Sequence, residues 1–135
     1  MGKKAILCVD DESMILESLK EQIENRLGHN YIYETAENAE EGLEVIEELV
    51  EDGTEVLVIV SDWLMPGIKG DEFLIEVHKR FPGIVKVMLT GQAQQKAIEN
   101  AQEKANLHAC LFKPWSEDEL IKTIKSGLGE LSLKK

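Results

Sequence analysis

The sequence predicts an α/β domain built on a parallel sheet with helices on both faces. Short apolar runs alternate with stretches of helical periodicity five times along the chain, which is typical of successive right-handed βαβ units. The run from 56 to 61 is mostly β-branched and carries no charge, as expected for a strand buried on both faces. A chain of 135 residues suits one such domain with a real core.

The first half of the chain predicts two strands, each followed by a helix. Ser13 and Asn38 are expected to cap the two helices, and Gly28 and Gly53 to end them. The second strand is more polar than the first, as expected at the edge of a sheet. The elements are a strand at 5–9, a helix at 13–27, a strand at 31–36 and a helix that follows residue 38.

The second half predicts three further strand and helix pairs. Pro66 and two glycines must turn the chain after the central strand. The helix predicted at 92–105 has a stripe made mostly of alanine, so we expect it to pack lightly and to move most easily. Ser116 and Glu119 form a capping box for the last helix, which is expected to end near Leu128. The other elements are a helix at 71–81 and strands at 85–89 and 109–112.

Composition excludes several classes of function. The formal net charge of -11 disfavours nonspecific binding to nucleic acid or anionic lipid. No apolar stretch is long enough to cross a bilayer, and two acids directly follow the first apolar run, which does not suit a signal peptide. Cys8 and Cys110 form neither a disulfide framework nor a zinc spacing. We therefore expect a cytoplasmic chain that itself binds neither membrane nor nucleic acid.

Polar side chains stand where four of the predicted strands end. They are Asp10, Asp11, Asp62, Thr90 and Lys113. In open α/β sheets the ligand site lies outside the carboxyl ends of the strands, so these residues are expected to meet there. A lone Asp62 would more simply cap the next helix, but crowded carboxylates favour a site, since their charges need a cation or the lysine. Mg²⁺, before Ca²⁺, is the expected cation.

Together these residues resemble the response-regulator receiver domain of two-component signalling, the CheY-like superfamily. The matching marks are the acid pair Asp10-Asp11, Asp62 in SDWLMPGIKG, Thr90 followed by Gly91, and Lys113-Pro114. The resemblance covers about 4 to 128, so residues 1–128 are expected to form the receiver domain and 129–135 a tail or the start of a linker. It implies the flavodoxin-like (βα)5 fold with strand order 2-1-3-4-5.

The resemblance also implies chemical roles. Asp62 would be the phosphoacceptor, attacking the phosphohistidine of a sensor histidine kinase or phosphotransfer protein to form an acyl phosphate. Mg²⁺, with Mn²⁺ as a possible substitute, would be bound by Asp11, by Asp10 directly or through water, by Asp62, and by the backbone carbonyl of Leu64.

The remaining matched residues would form a switch. Lys113 would pair with the phosphoryl oxygens, Thr90 would turn its hydroxyl to them, and small Gly91 follows it. The Lys113-Pro114 peptide would be cis. The fourth helix, fifth strand and fifth helix would then control a downstream effector domain or protein, and phosphorylation could drive a homodimer.

The sequence departs from the family three residues before the lysine. Receivers commonly carry Tyr or Phe there, and this chain carries Cys110. Either the switch works without an aromatic swing, or Phe112, on the same strand face, takes part. Leu64 and Gln92 occupy positions that tune acyl-phosphate lifetime in the family. Apolar Leu64 cannot orient a water, so slow dephosphorylation is expected.

Two other functions deserve comparison with a non-enzymatic signalling module. An aspartyl-phosphate hydrolase would use Asp10 as nucleophile, but Glu12 and Met14 stand where its DxDxT spacing needs Asp and Thr. A flavodoxin-like electron carrier would need a hydroxyl- and glycine-rich loop for the flavin phosphate, and Asp10-Asp11 would repel it.

Overall fold

A computed structural model of the chain describes residues 2–91 and 95–133. In this part of the chain, five strands form one parallel sheet in the order β2-β1-β3-β4-β5, which confirms the predicted order. The strands are β1 (Lys4–Val9), β2 (Ile32–Ala36), β3 (Glu55–Asp62), β4 (Val85–Thr90) and β5 (Ala109–Phe112).

A helix follows each strand, and the helices cover both faces of the sheet. They are α1 (Ser13–Leu27), α2 (Ala39–Glu51), α3 (Gly70–Arg80), α4 (Gln95–Lys104) and α5 (Glu117–Leu133). One apolar cluster joins α1 and α5 to the sheet, and a second joins α2, α3 and α4 to its other face. No helix within the described ranges is both long and apolar enough to cross a membrane.

The central strands are buried on both faces. In β1, Ile6 and Cys8 belong to the cluster under α1 and α5, whereas Leu7 and Val9 belong to the opposite cluster. This period of two is the geometry of a strand. Every residue of β3 after Glu55 is buried, down to Asp62. The strand that carries Asp62 is therefore a rigid support for that side chain.

Several predicted helix ends are confirmed. The Asn38 Oδ1 accepts a hydrogen bond from the Glu41 backbone N–H at 2.8 Å. Gly28 ends α1 with a φ of 85°, in the region that favours glycine. The Ser116 Oγ accepts from the Glu119 N–H at 3.3 Å, which is one of the two bonds of a capping box.

Two predicted helix ends are wrong. Ser13 does not cap α1, because it is the first helical residue and Glu12 is the N-cap, with an extended backbone. The turn before the helix is organised instead by Asp10, whose Oδ1 accepts from the Glu12 N–H at 2.9 Å. At the other end, α5 continues past Leu128 to Leu133, since Glu and Leu are good helix formers and one glycine costs only about 1 kcal/mol.

The lightly packed helix ends at Lys104, one residue before its predicted end. Only Ile98 and Ala101 are buried among the ten residues of α4, in agreement with its alanine stripe. Residues 92–94, where the predicted helix begins, lie outside the described residues, and with them the lifetime position Gln92. That α4 moves most easily stays a prediction.

Gly70 lets α3 begin directly against the end of β3. Its N–H donates to the Trp63 carbonyl at 2.7 Å. A Cβ at position 70 would meet backbone, lying 2.7 Å from the Trp63 Cα and still closer to the Asp62 carbonyl oxygen. The segment that carries Asp62 therefore requires glycine at this position.

We predict that Gly70→Ala lowers the free energy of unfolding by about 1 to 3 kcal/mol, since overpacking against backbone cannot be relieved by a side-chain rotation. Urea denaturation measures the change. Gly129→Ala is the matched control, because a Cβ there has open space and alanine favours a helix. Equal stabilities of the two variants would contradict the packing argument.

Candidate functional site

Four strand ends converge at one edge of the sheet. Asp62 ends β3 and Thr90 ends β4, while Asp10 directly follows β1 and Lys113 directly follows β5. Backbone bonds continue past the strands: the Lys113 N–H donates to the Thr90 carbonyl and the Trp63 N–H to the Leu89 carbonyl, each at 2.8 Å. The sheet register thus holds the predicted site residues together.

A cavity of about 610 Å³ opens at this edge. Its lining includes most of the predicted site: Asp11, Asp62, Leu64, Thr90, Gly91 and Lys113. Asp10 has no exposed surface and belongs to the buried floor of the site. The cavity therefore presents Asp62, rather than Asp10, to a molecule that approaches from solvent.

The ammonium group of Lys113 bridges two buried carboxylates. Its Nζ lies 2.9 Å from Asp62 Oδ1 and 3.2 Å from Asp10 Oδ2. The second oxygen of Asp10 accepts the Glu12 N–H, so both oxygens of this carboxylate have partners. Burying charge is tolerated only when it is paired in this way.

The pKa of the Asp62 carboxyl is raised above its ordinary value. Burial is the largest cause, and the charges of Asp10 and Asp11 add to it, while the hydrogen bond and the charge of Lys113 oppose it. Desolvation and like charges both disfavour the ionised form. An additional cation at this site would relieve the same penalty.

The pKa of Lys113 is also raised. Burial alone would lower it, but the hydrogen bond to Asp62, the charges of Asp62 and Asp10, and the hydrogen bond to Asp10 outweigh that effect. The lysine is therefore held in its charged form. It supplies one positive charge to a group of three carboxylates, which leaves an excess of negative charge.

The three carboxylates fit a divalent cation. Asp10, Asp11 and Asp62 each offer one oxygen, and these oxygens lie within 4.8 Å of one another. Hard oxygen ligands of this kind suit Mg²⁺, which takes its remaining ligands from water and backbone. Leu64 lines the cavity with its side chain half exposed. Ligation by its backbone carbonyl stays a prediction.

The predicted switch residues lie beside the cavity. Thr90 is buried and is paired in register with Phe112 on β5. The Lys113-Pro114 peptide is cis, as the resemblance implied. Cys110 packs against the apolar cluster under α2, α3 and α4, whereas the Phe112 side chain is 57% exposed. In this structure, no ring of β5 takes the place of the missing aromatic.

Sequence reasoning missed the polar contacts of the two tryptophans, whose expected role was packing. The Trp63 Nε1 donates to Asp71 Oδ1 at 3.0 Å, and the Trp115 Nε1 donates to Gln22 Oε1 at 2.8 Å. Each tryptophan closely follows a site residue, Asp62 or Lys113. Asp71 at the start of α3 and Gln22 on α1 are ordinary polar helix residues in the sequence. No local sequence pattern therefore predicts these hydrogen bonds.

The chain belongs to the response regulator receiver domain family, whose model matches residues 6–125. It is therefore a phosphorelay signalling domain of the two-component type, and membership does not support the hydrolase alternative. A receiver domain protein from Methanospirillum hungatei has a similar solved structure, with a TM-score of 0.86 and 32% identity over 99% of this chain and 100% of that one.

Curated relatives are similar over most of this chain. The hydrogenase transcriptional regulatory protein HoxA of Cupriavidus necator is 30% identical over 91% of the chain, which spans only 24% of HoxA. A chemotaxis protein CheY homologue of Campylobacter jejuni is 28% identical over 92% of both proteins. The chain thus matches a quarter of the length of one relative and nearly the whole of another.

We predict that Asp62→Asn stabilises the metal-free protein at pH 7 by on the order of 1 kcal/mol, or a few degrees in melting temperature. Because the folded-state pKa of Asp62 is raised, folded wild type binds this proton more tightly than unfolded wild type. Wild-type stability therefore falls as the pH rises from the ordinary carboxyl pKa, which holds in the unfolded state, to the higher pKa of Asp62 in the folded state. The advantage of the variant should vanish below that window.

Thermal melts in chelator across the pH range measure this difference. Asp118→Asn is the control: its carboxylate is 76% exposed and pairs with Arg26 at the surface. Loss of such an exposed ion pair should lower stability by at most about 1 kcal/mol and should not raise it. An Asp62→Asn protein less stable than wild type at pH 7 would show that attraction to Lys113 outweighs burial and repulsion.

Proposed function

We propose that Asp62 accepts a phosphoryl group from a phosphohistidine and that the acyl phosphate switches the domain. One observation carries this assignment: Asp62 alone among the three clustered carboxylates both lines the cavity and contacts Lys113 within the described residues. Asp11 lines the cavity, and Asp10 contacts the lysine but is fully buried.

The geometry of the cavity supports the following transfer. A carboxylate oxygen of Asp62 attacks phosphorus, the phosphorus–nitrogen bond of the phosphohistidine breaks, and its electron pair returns to the imidazole. The Lys113 ammonium, held charged beside Asp62, is placed to pair with the phosphoryl oxygens. Thr90, which lines the same cavity, is placed to turn its hydroxyl toward them.

Mg²⁺, with Mn²⁺ as a substitute, would neutralise the charge that crowds the site during transfer. The residues that would hold it are Asp11, Asp62, the backbone carbonyl of Leu64, and Asp10. Since both oxygens of Asp10 already have partners, we expect this residue to act through a water molecule. Ca²⁺ would fit the short, crowded set of ligands less well.

The proposed partners follow from this role. A sensor histidine kinase or phosphotransfer protein supplies the phosphoryl group, and the surface formed by α4, β5 and α5 acts on a downstream effector domain or protein, with homodimerisation as one form of output. The chain acts in the cytoplasm and binds neither nucleic acid nor membrane itself. Residues 129–135 form a C-terminal tail or the start of a linker, and α5 includes the first five of them.

The domain acts as a switch rather than as an enzyme with multiple turnovers. A hydrolase that used Asp10 would need this carboxylate to reach a substrate, but it has no exposed surface. At the mouth of the cavity, the apolar side chain of Leu64 cannot position a water for attack on the acyl phosphate. In a multiple-turnover phosphatase assay, we expect the protein to release no more than one equivalent of dephosphorylated substrate per protein molecule on the time scale of labelling.

We predict that a small phosphodonor with Mg²⁺ adds one phosphoryl group to wild type and none to Asp62→Asn, because Asp62 is the nucleophile. Intact-mass analysis over time measures the labelling. Asp11→Asn should slow it on the order of a hundredfold, as the loss of one electrostatic stabiliser does. Asp118→Asn, on the exposed start of α5, should label like wild type. Equal labelling of Asp62→Asn and wild type would contradict the assignment.

Mg²⁺ should stabilise the folded domain in proportion to its binding. At ~100 times its dissociation constant, a ligand that binds only the folded state adds about 2.7 kcal/mol. Asp62→Asn should gain less from the same Mg²⁺ concentration, since it lacks a charged ligand. Calorimetric melts of both proteins with and without Mg²⁺ make the comparison, and a wild type indifferent to Mg²⁺ would show that the carboxylates hold no such ion.

A further inference from the structure

Trp63 is fixed to the phosphoacceptor segment by its backbone. Its N–H donates to the Leu89 carbonyl of β4 at 2.8 Å, and its carbonyl accepts the N–H of Gly70, the first residue of α3, at 2.7 Å. It also follows Asp62 directly. The indole ring is partly buried against the cluster under α2, α3 and α4. A shift of the segment that carries Asp62 must therefore move this ring.

The ring is linked to a buried carboxylate on α3. Asp71 is only 8% exposed, and its Oδ1 accepts the Trp63 indole N–H at 3.0 Å. A carboxylate at such a depth needs hydrogen-bond donors, and it also benefits from its position in the first turn of a helix. Asp71 thus accepts a hydrogen bond from the residue next to the phosphoacceptor.

The other oxygen of Asp71 reaches α4. The Asn100 Nδ2 donates to Asp71 Oδ2 at 3.4 Å. The element against which α4 packs most closely is α3. Only two residues of α4, Ile98 and Ala101, are buried. For a helix with so little apolar anchorage, one polar link to a buried carboxylate is a substantial part of what holds it.

We propose that Trp63, Asp71 and Asn100 form a tether that holds α4 in the resting position and couples it to the state of Asp62. The inference rests on the proposed role of Asp62 as phosphoacceptor. The bond between Asp71 and Asn100 is the longer of the two contacts and is the one that changes: when phosphorylation shifts the segment after Asp62, the ring and Asp71 move and α4 is released. This route supplies a coupling that Cys110, without an aromatic ring, cannot supply.

The tether makes a reciprocal prediction about affinity. The proposal implies that the bond between Asp71 and Asn100 is lost when the domain passes to the active state. A protein without this bond should then bind a phosphoryl mimic more tightly, by the same factor by which the bond favours the resting state. Substitutions along such networks change coupling by roughly twofold to thirtyfold. We therefore expect Asn100→Ala to bind beryllofluoride with Mg²⁺ about fivefold more tightly than wild type.

The experiment titrates beryllofluoride at fixed Mg²⁺ and follows Trp63 fluorescence in a Trp115→Phe background. Asn100→Ala removes the tether and Asp71→Leu removes it at its centre. Asp71→Asn keeps one oxygen for the indole N–H, and the Asn100 amide can rotate to accept its new N–H, so it should restore near wild-type affinity. Gln102→Ala is the matched control, because it is an exposed amide on the same helix.

Amide hydrogen exchange of residues 95–104 supplies the second readout. Without beryllofluoride, Asn100→Ala should exchange in α4 faster than wild type, by no more than about fivefold. With the mimic bound, the two proteins should exchange at the same rate. A purely structural role would accelerate exchange in both states and leave the affinity unchanged. If Asp71→Leu fails to fold, Asn100→Ala still decides the matter, since alanine favours a helix.

The outcomes separate the two proposals. If wild type does not bind beryllofluoride, or if Asp62→Asn binds it equally well, the proposed function fails. If wild type binds it and Asn100→Ala binds with the same affinity and the same exchange response, the tether is overturned and the proposed function stands. Tighter binding by Asn100→Ala together with restoration by Asp71→Asn supports the tether.

Discussion

The ion pair network of Lys113 with Asp62 and Asp10 is the interaction on which the site depends. A parallel sheet brings the ends of its strands together whatever their distance in sequence, and here that convergence concentrates negative charge. The lysine, 2.9 Å from one carboxylate and 3.2 Å from the other, makes the arrangement compatible with a folded state. It compensates only part of the charge, and the remaining negative charge is what a bound cation would neutralise.

The rest of the fold divides into a rigid support and a less anchored surface. The strands β1 and β3 are buried on both faces, so Asp10 and Asp62 can hardly move relative to each other. In contrast, α4 has few buried residues, and elements with little apolar contact are those that open most easily. Under the function and the tether proposed above, a phosphoryl group on the rigid edge would change the position of α4 without disturbing the sheet. The contact of Asp71 with Asn100 lies where the two regions meet.

The strands and the polar residues at their ends were predictable from local patterns, whereas the strand order was implied by the resemblance to the receiver family. A run of apolar residues that ends in a carboxylate gives the position of a strand and of its functional end, as at Asp62. Contacts between distant side chains leave no such pattern. The turn built on Asp10 in place of a Ser13 cap is a local contact that the sequence reading overlooked. The bond from Trp115 to Gln22, in contrast, depends on tertiary packing. The burial of Lys86 within β4 also depends on tertiary packing. Its ammonium group donates to the Ile84 carbonyl at 2.6 Å, whereas the sequence predicted only that this residue belongs to a strand.

The central claim, that Asp62 rather than its neighbours carries the phosphoryl group, is tested most directly by chemical trapping. Borohydride reduces an acyl phosphate to an alcohol, so a phosphorylated aspartate becomes homoserine with loss of phosphate. Peptide mass spectrometry of the trapped protein then locates the modified residue. Homoserine at position 62, with Asp10 and Asp11 unchanged, is the result expected from the exposure of Asp62 to the cavity and the burial of Asp10. Homoserine at position 10 or 11 would contradict this account of the site.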